Sequence, residues 1–191
     1  NAAAGYGAWA LRARPGARVI QIVRHPGGFA RSWLKRWVRG EGGMDRGQGT
    51  ADALRDEDRL REVARRDPRW AKLFGDIDAM DRAEGELWWW RYVNEALHEA
   101  GAGRANYTRV LYEDLARDPE RTSSEVYRAC GLEWNAGIAA RVSSISGEAE
   151  KIARAWKDEL EPALIALVEK VLDQSPMASW WSEDGGARAI A

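Results

Sequence analysis

The sequence has little cysteine, little histidine and no long apolar run. A single cysteine, Cys130, excludes an internal disulfide and any cysteine-based metal cluster, and core packing is its expected role. The two histidines, His25 and His98, are too few and too far apart to indicate a zinc site, so no metal is expected. No apolar run approaches the length that crosses a bilayer, and no membrane segment is expected in these residues.

The sequence also has almost no net charge. A formal charge of -1 argues against a general binder of nucleic acid or of membrane surfaces, so any anion site must be local. The length of 191 residues fits one globular domain over residues 1–191. The start lacks the basic end and apolar centre of a secretion signal, which favours a soluble, cytoplasmic protein. Because residue 1 is Asn, we expect the natural amino terminus to be missing, and an upstream membrane anchor would instead favour the Golgi lumen.

The first strong element is a β-branched strand over residues 18–23, closed by the sequence His-Pro-Gly-Gly. A helix follows, because Phe29, Trp33 and Trp37 recur at a spacing of four residues. Gly40 is its expected end, and the glycine-rich stretch 41–50 is expected to be a mobile loop.

The rest of the chain reads as helices with one further strand. Helices are predicted over residues 51–66, 69–80, 86–100, 118–130 and 158–173, and a strand over residues 106–112. Trp89, Val93, Ala96 and Leu97 are the expected core stripe of the third of these helices, with Gly101 as its left-handed cap. Strands that alternate with helices favour an α/β fold with parallel strands.

Two polar side chains mark the carboxyl end of the first strand. Arg24 follows the strand directly, and Ser32 lies eight residues on, in the first turns of the helix. Ligands bind at this edge of α/β sheets, because loops and helix amino termini converge there. A guanidinium, a hydroxyl, the helix dipole and backbone N–H groups near Gly27 and Gly28 are the donors that a phosphate dianion needs.

Residues 19–32, Val-Ile-Gln-Ile-Val-Arg-His-Pro-Gly-Gly-Phe-Ala-Arg-Ser, resemble a segment of the PAPS-dependent sulfotransferases (PAPS is 3′-phosphoadenosine 5′-phosphosulfate). In that family the segment is a strand followed by Arg-Asp-Pro and a later serine, and the arginine and the serine bind the 3′-phosphate. By this resemblance the role falls on Arg24 and Ser32. Residues 110–120 are similar to the family's downstream Tyr-Glu-Asp-Leu and Asp-Pro-Glu segment. The likeness covers about residues 10–175.

The resemblance implies a P-loop-like, three-layer α/β domain with a parallel sheet flanked by helices. It also implies transfer of a sulfuryl group from PAPS to a hydroxyl or amine, leaving PAP, without a metal. The glycine-rich 5′-phosphosulfate loop of the family is absent from these residues, so we expect an amino-terminal strand and loop to be missing. The Gly-Gly-Lys segment near the carboxyl end of the cytosolic small-molecule sulfotransferases is absent too, which favours the carbohydrate-type or bacterial branch. A carbohydrate or small-metabolite acceptor is expected.

Several of these residues also have a structural interpretation that involves no ligand. Arg24 could be a surface arginine at a strand end and Ser32 a hydroxyl without a ligand, and no catalytic residue is named. His25, where the family usually has an acidic residue, is read as a second phosphate donor or a turn residue, with proton transfer as the alternative. Glu113 and Asp114 are read as bracing the turn that follows them, with a general base as the alternative.

Other features leave the class of protein open. His98 is expected to face solvent, and the run Trp88-Trp89-Trp90 to pack in the core, although three successive rings cannot share one helix face. A noncatalytic PAP-binding module and a P-loop nucleotide kinase are the alternative functions. The kinase would require a lysine-containing phosphate loop and a magnesium-binding carboxylate, which we do not find in the sequence.

Overall fold

The computed structural model describes residues 3–38, 56–182 and 186, which are mostly helical around a small sheet. Gly40 and the predicted loop 41–50 lie outside these residues. The described strands are β1 (Val19–Val23) and β2 (Tyr107–Leu111), and short 3-10 helices span Ile77–Ala79 and Pro176–Trp180. The described helices are α1 (Ala3–Ala13), α2 (Pro26–Val38), α3 (Asp56–Arg66), α4 (Pro68–Phe74), α5 (Arg82–Gly101), α6 (Tyr112–Arg117), α7 (Pro119–Cys130), α8 (Ala136–Ile145), α9 (Ala149–Arg154), α10 (Trp156–Glu159) and α11 (Pro162–Leu172).

The two strands pair in parallel, as the sequence predicts. Val19 lies opposite Tyr107, and Val23 lies opposite Leu111. Both strands therefore end at the same edge of the sheet, where α2 and α6 begin. The α/β class with parallel strands is confirmed over the described residues, while the P-loop-like, three-layer arrangement stays a prediction.

Local capping chemistry explains the best-predicted helix, α7. The Asp118 carboxylate accepts the Arg121 backbone N–H at 3.1 Å, and Pro119 occupies the first turn, where its missing N–H costs nothing. Gly131 ends the helix with a φ of 70°, a left-handed conformation that glycine adopts without strain.

Two predicted helices are shorter than expected. The helix predicted over residues 69–80 stops at Phe74, because Gly75 leaves the helix with a φ of 68°. The helix predicted over residues 158–173 is two helices, α10 and α11. Pro162 starts α11, and the residue before it, Glu161, has an extended ψ of 145°, as a residue before proline prefers.

The predicted cap of α5 was wrong. Gly101 remains helical, and the following residue that takes a positive φ is Gly103, at 76°. A Cβ at position 101 would lie 2.3 Å from the ring of Tyr107 on β2, so glycine is required there for close packing.

α5 is buried on two sides, so the predicted single stripe covers only part of its buried surface: Val93 is buried, and Trp89, Ala96 and Leu97 are partly buried. Trp88 belongs to one hydrophobic cluster with Trp70 and Trp156, and Trp90 belongs to a second cluster with Trp181. Trp89 is only partly buried, so the prediction that the three rings do not share one face is confirmed. A one-face periodicity cannot identify the core residues of a helix that packs between two clusters.

A buried ion pair joins α5 to the end of α11. Arg91 Nε donates to Glu95 Oε1 at 2.8 Å, and both side chains are almost fully buried. Arg91 Nη1 also donates to the carbonyl oxygens of Val171 and Asp173, at 2.8 and 2.9 Å. Ser175 Oγ donates to the same Glu95 oxygen at 2.6 Å, so the pair's polar atoms have several partners.

Candidate functional site

The structure brings together the two residues that the sequence selected. Arg24 leaves the end of β1, and its Nη1 donates to Ser32 Oγ in α2 at 2.6 Å. Because Ser32 accepts this bond, its own hydroxyl hydrogen can be donated to a ligand. The pair therefore presents guanidinium N–H groups and an O–H group at one point of the sheet edge.

The Arg24 guanidinium is partly buried at the end of β1. It sits over the ring of Tyr112, 4.7 Å from the centroid, and Nη2 donates to the Ile152 carbonyl oxygen at 3.3 Å. Nε is buried without a hydrogen-bond partner. Burial lowers the pKa of Arg24 from its ordinary value. Within residues 3–38 and 56–182, no carboxylate forms an ion pair with Arg24. The charge of Glu113 acts on Arg24 from nearby, but Glu113 forms no ion pair with it, so the guanidinium keeps N–H groups that an anionic ligand can accept from directly.

Two glycines at the start of α2 allow close packing of large side chains. A Cβ at Gly28 would lie 2.6 Å from Arg24 Nε, and a Cβ at Gly27 would lie 2.4 Å from the ring of Trp156. Both distances are far shorter than a van der Waals contact. The glycines thus let Arg24 and Trp156 lie directly against the first turn of α2.

His25 is a turn residue, and it takes a donor that we had expected to face the phosphate. Its Nδ1 accepts the Gly27 backbone N–H at 3.0 Å, so this N–H is not exposed for a ligand. Its ring stacks on Trp156 with centroids 4.5 Å apart. Burial first, and the nearby Lys157 charge second, lower the pKa of His25 to about 3. The imidazole is neutral at working pH, so it brings no positive charge to a phosphate, and its role as a second phosphate donor stays a prediction.

Glu113 braces this turn from α6. Its Oε1 accepts the His25 backbone N–H at 2.9 Å, and its Oε2 accepts the Trp181 indole N–H at 2.9 Å. Burial raises the pKa of Glu113 above its usual value. Glu113 therefore braces the turn between β1 and α2 rather than the turn that follows it, whereas Asp114 pairs with Arg117 within α6.

The sequence reading missed Trp181 and the carbonyl of Ile152, and it misplaced His98. A Trp180-Trp181 pair in a polar carboxyl-terminal stretch was the one available signal that this stretch packs back onto the domain. His98 was expected to face solvent. It is instead partly buried, with Nδ1 2.9 Å from the Tyr107 hydroxyl and its ring edge-on to Trp180.

Further expectations concern metals and membranes. Over the described residues, no group of three or more His, Cys, Asp or Glu side chains is placed to hold a metal ion. No described helix combines the length and the apolar character of a membrane span. Cys130 is a free, partly buried cysteine at the end of α7.

Comparison with known proteins gives one match. A family model described as the sulfotransferase family matches residues 4–136, well over half of the 191 residues. The matched range contains Arg24, Ser32 and Glu113, whereas Trp156 and Trp181 lie beyond it. The comparison with curated proteins and the comparison with solved structures each gave no match.

Proposed function

The chain belongs to the sulfotransferase family, and from that premise we propose that it moves a sulfuryl group from PAPS to a hydroxyl or amine acceptor. The proposed acceptor is a carbohydrate or a small metabolite. Arg24 and Ser32 hold the 3′-phosphate of PAPS in this proposal. The observation that carries it is the 2.6 Å contact between these two side chains at the end of β1.

The chemistry of the pair fits a phosphate monoester. Arg24 stays charged at any working pH, and its planar fork can share two phosphate oxygens between adjacent N–H groups. The Ser32 hydroxyl can donate to a further oxygen, because its lone pair already accepts from Arg24. α2 begins beside Arg24, so the positive end of its helix dipole lies at the same edge of the sheet as Arg24 and Ser32.

These contacts would act on the reaction through alignment. In the transfer, the acceptor oxygen or nitrogen attacks sulfur, the bond from sulfur to the bridging oxygen breaks, and PAP leaves with that electron pair. The acceptor loses its proton to a base or to water. A donor anchored at its 3′-phosphate keeps the sulfuryl group in line with the acceptor, which is a large part of the catalytic benefit.

Ligand-induced thermal stabilisation tests the donor site. PAP should raise the melting temperature of the protein, and adenosine 5′-phosphate, which lacks the 3′-phosphate, should have little effect. Arg24→Ala should erase most of the PAP shift. Arg18→Ala is the matched control, because Arg18 stands at the other end of the β1 segment and donates to the Ala105 carbonyl oxygen. Equal shifts with both nucleotides, or a full PAP shift in Arg24→Ala, would count against the assignment.

Transfer itself is measured with radiolabelled PAPS and a panel of carbohydrate and small-metabolite acceptors. Label on an acceptor, lost in Arg24→Ala and retained in Arg18→Ala, would support the proposal. Binding of PAP with no transfer to any acceptor would favour a noncatalytic PAP-binding module instead.

A further inference from the structure

We infer that Glu113 is a positioning residue for the phosphate site, acting through a carboxylate bridge between the His25 backbone and the Trp181 indole. This inference rests on the proposed function, because it concerns the same 3′-phosphate site. We call the three groups the Glu113 bridge: the Glu113 carboxylate, the His25 N–H and the Trp181 Nε1–H.

The bridge satisfies two buried donors with one buried acceptor group. Glu113 has 5% of its surface exposed, and its two oxygens accept from His25 and Trp181 at 2.9 Å each. Each oxygen thus has its own donor, and hydrogen bonds to a charged acceptor are among the stronger ones. The bridge joins three segments that are far apart in the sequence: the end of β1, the start of α6 and the stretch after α11.

Ring packing holds the same turn from other directions. The Trp181 and His25 rings are nearly perpendicular with centroids 5.2 Å apart, and the Trp156 ring stacks on the His25 ring. The indole of Trp181 therefore touches both ends of the bridge, as donor to Glu113 and as ring neighbour of His25. Its 3% exposure leaves it little room to move.

The turn that the bridge fixes carries the phosphate-binding residues. His25 directly follows Arg24, and the His25 carbonyl oxygen accepts the Phe29 N–H at 3.0 Å, which opens α2. A shift of His25 would therefore move both the Arg24 backbone and the start of the helix that holds Ser32. The short Arg24 to Ser32 contact depends on both positions.

Electrostatics and positioning predict opposite results for the same substitution. Glu113 and Arg24 are close enough for their charges to interact. Removal of a negative charge near a phosphate site would, by charge alone, tighten the binding of PAP. In the variant E113Q the amide NH2 group would face one of the two N–H donors of the bridge, from His25 or from Trp181. That hydrogen bond is then lost, and the binding of PAP should weaken.

The test is PAP affinity by isothermal titration, with near-ultraviolet circular dichroism to confirm the fold of each variant. E113Q should bind PAP at least about tenfold more weakly, the equivalent of losing one hydrogen bond to a charged group. The matched control is Asp114→Asn, because Asp114 lies beside Glu113 in α6 but pairs with Arg117. Its PAP affinity should match that of the wild type.

A second variant keeps the inference testable if E113Q folds poorly. Trp181→Phe retains a six-membered aromatic ring and removes the five-membered ring with its N–H donor, while both Glu113 oxygens remain as acceptors, so it should weaken PAP binding by a smaller factor than E113Q. The double variant E113Q with Trp181→Phe removes the clash between two donors and should recover part of the lost affinity. A residue that only stabilised the fold would show no such recovery of binding.

The outcomes separate this inference from the proposed function. Weaker binding in E113Q with partial recovery in the double variant supports the bridge. If the wild type binds PAP, Arg24→Ala abolishes binding, and E113Q binds as tightly as the wild type or more tightly, the inference is overturned and the phosphate site stands. If the wild type does not bind PAP at all, the proposed function and this inference both fall.

Discussion

The substitution Gly28→Ala tests the placement of the Arg24 guanidinium by adding a single methyl group beside it. The added methyl carbon would lie 2.6 Å from Arg24 Nε, and 3.3 and 3.4 Å from its Cγ and Cδ. These atoms are in the middle of the side chain, so Arg24 cannot keep its present conformation by moving its tip alone. Arg24 has to rotate away, and its contact with Ser32 is then lost.

The expected magnitudes are different for binding and for folding. Loss of a charge-assisted hydrogen bond to the 3′-phosphate should cost roughly 1.5–3 kcal/mol, which corresponds to about 10- to 150-fold weaker PAP binding. The free energy of unfolding should fall by no more than about 2 kcal/mol. Alanine gains up to about 1 kcal/mol over glycine inside a helix, which offsets part of the overlap cost of about 1–3 kcal/mol.

The assay is isothermal titration with PAP and with adenosine 5′-phosphate, alongside urea unfolding of each variant. Gly85→Ala is the matched control, because Gly85 is also helical and a Cβ there would have no neighbour within 4 Å. It should bind PAP normally. Unchanged PAP affinity in a folded Gly28→Ala protein would refute the reasoning, since the displaced guanidinium would then have no part in binding.

Three further changes have expected outcomes. Gly27→Ala places a methyl carbon 2.4 Å from the Trp156 ring, so it should lower the free energy of unfolding by about 1–3 kcal/mol in urea titrations. Arg91→Met leaves the buried Glu95 charge without its partner and should cost roughly 3–5 kcal/mol in the same assay. The pKa of His25 is lowered to about 3 in the folded protein, whereas the unfolded chain protonates His25 near pH 6.5. The stabilising contribution of neutral His25 is therefore fully present above pH 6.5 and is lost as the pH falls below it. The wild type should therefore lose roughly 2 kcal/mol more between pH 8 and pH 5 than the non-titrating His25→Asn variant.

Each of these expectations has a contrary result. A Gly27→Ala protein as stable as Gly85→Ala would contradict the close packing of Trp156 on α2. An Arg91→Met protein of wild-type stability would show that Glu95 does not depend on its ion pair. Parallel pH profiles for the wild type and His25→Asn would mean that His25 is accessible to protons in the folded protein.

Local sequence signals predicted the parts of the site that local geometry determines. Arg24 and Ser32 are eight residues apart, and a strand followed directly by a helix is enough to bring them together. The cap and end of α7 were equally predictable, because Asp118, Pro119 and Gly131 act within one helix. The binding roles of Arg24 and Ser32 stay predictions.

The remaining parts depend on contacts between distant segments. Trp156 and Trp181 reach the turn at His25 from more than a hundred residues away, and no local pattern specifies such a contact. Burial also determines the environment of both histidines, which the sequence does not reveal. His98 and His25 are polar in sequence, yet both pack against tryptophan rings, and burial lowers the pKa of each.

The central claim is tested most directly by a crystal structure of the protein with PAP. Our account predicts the 3′-phosphate at the end of β1, with its oxygens within about 3 Å of Arg24 Nη1 and of Ser32 Oγ. A PAP molecule whose 3′-phosphate contacts other side chains, with Arg24 and Ser32 still bonded only to the protein, would contradict it.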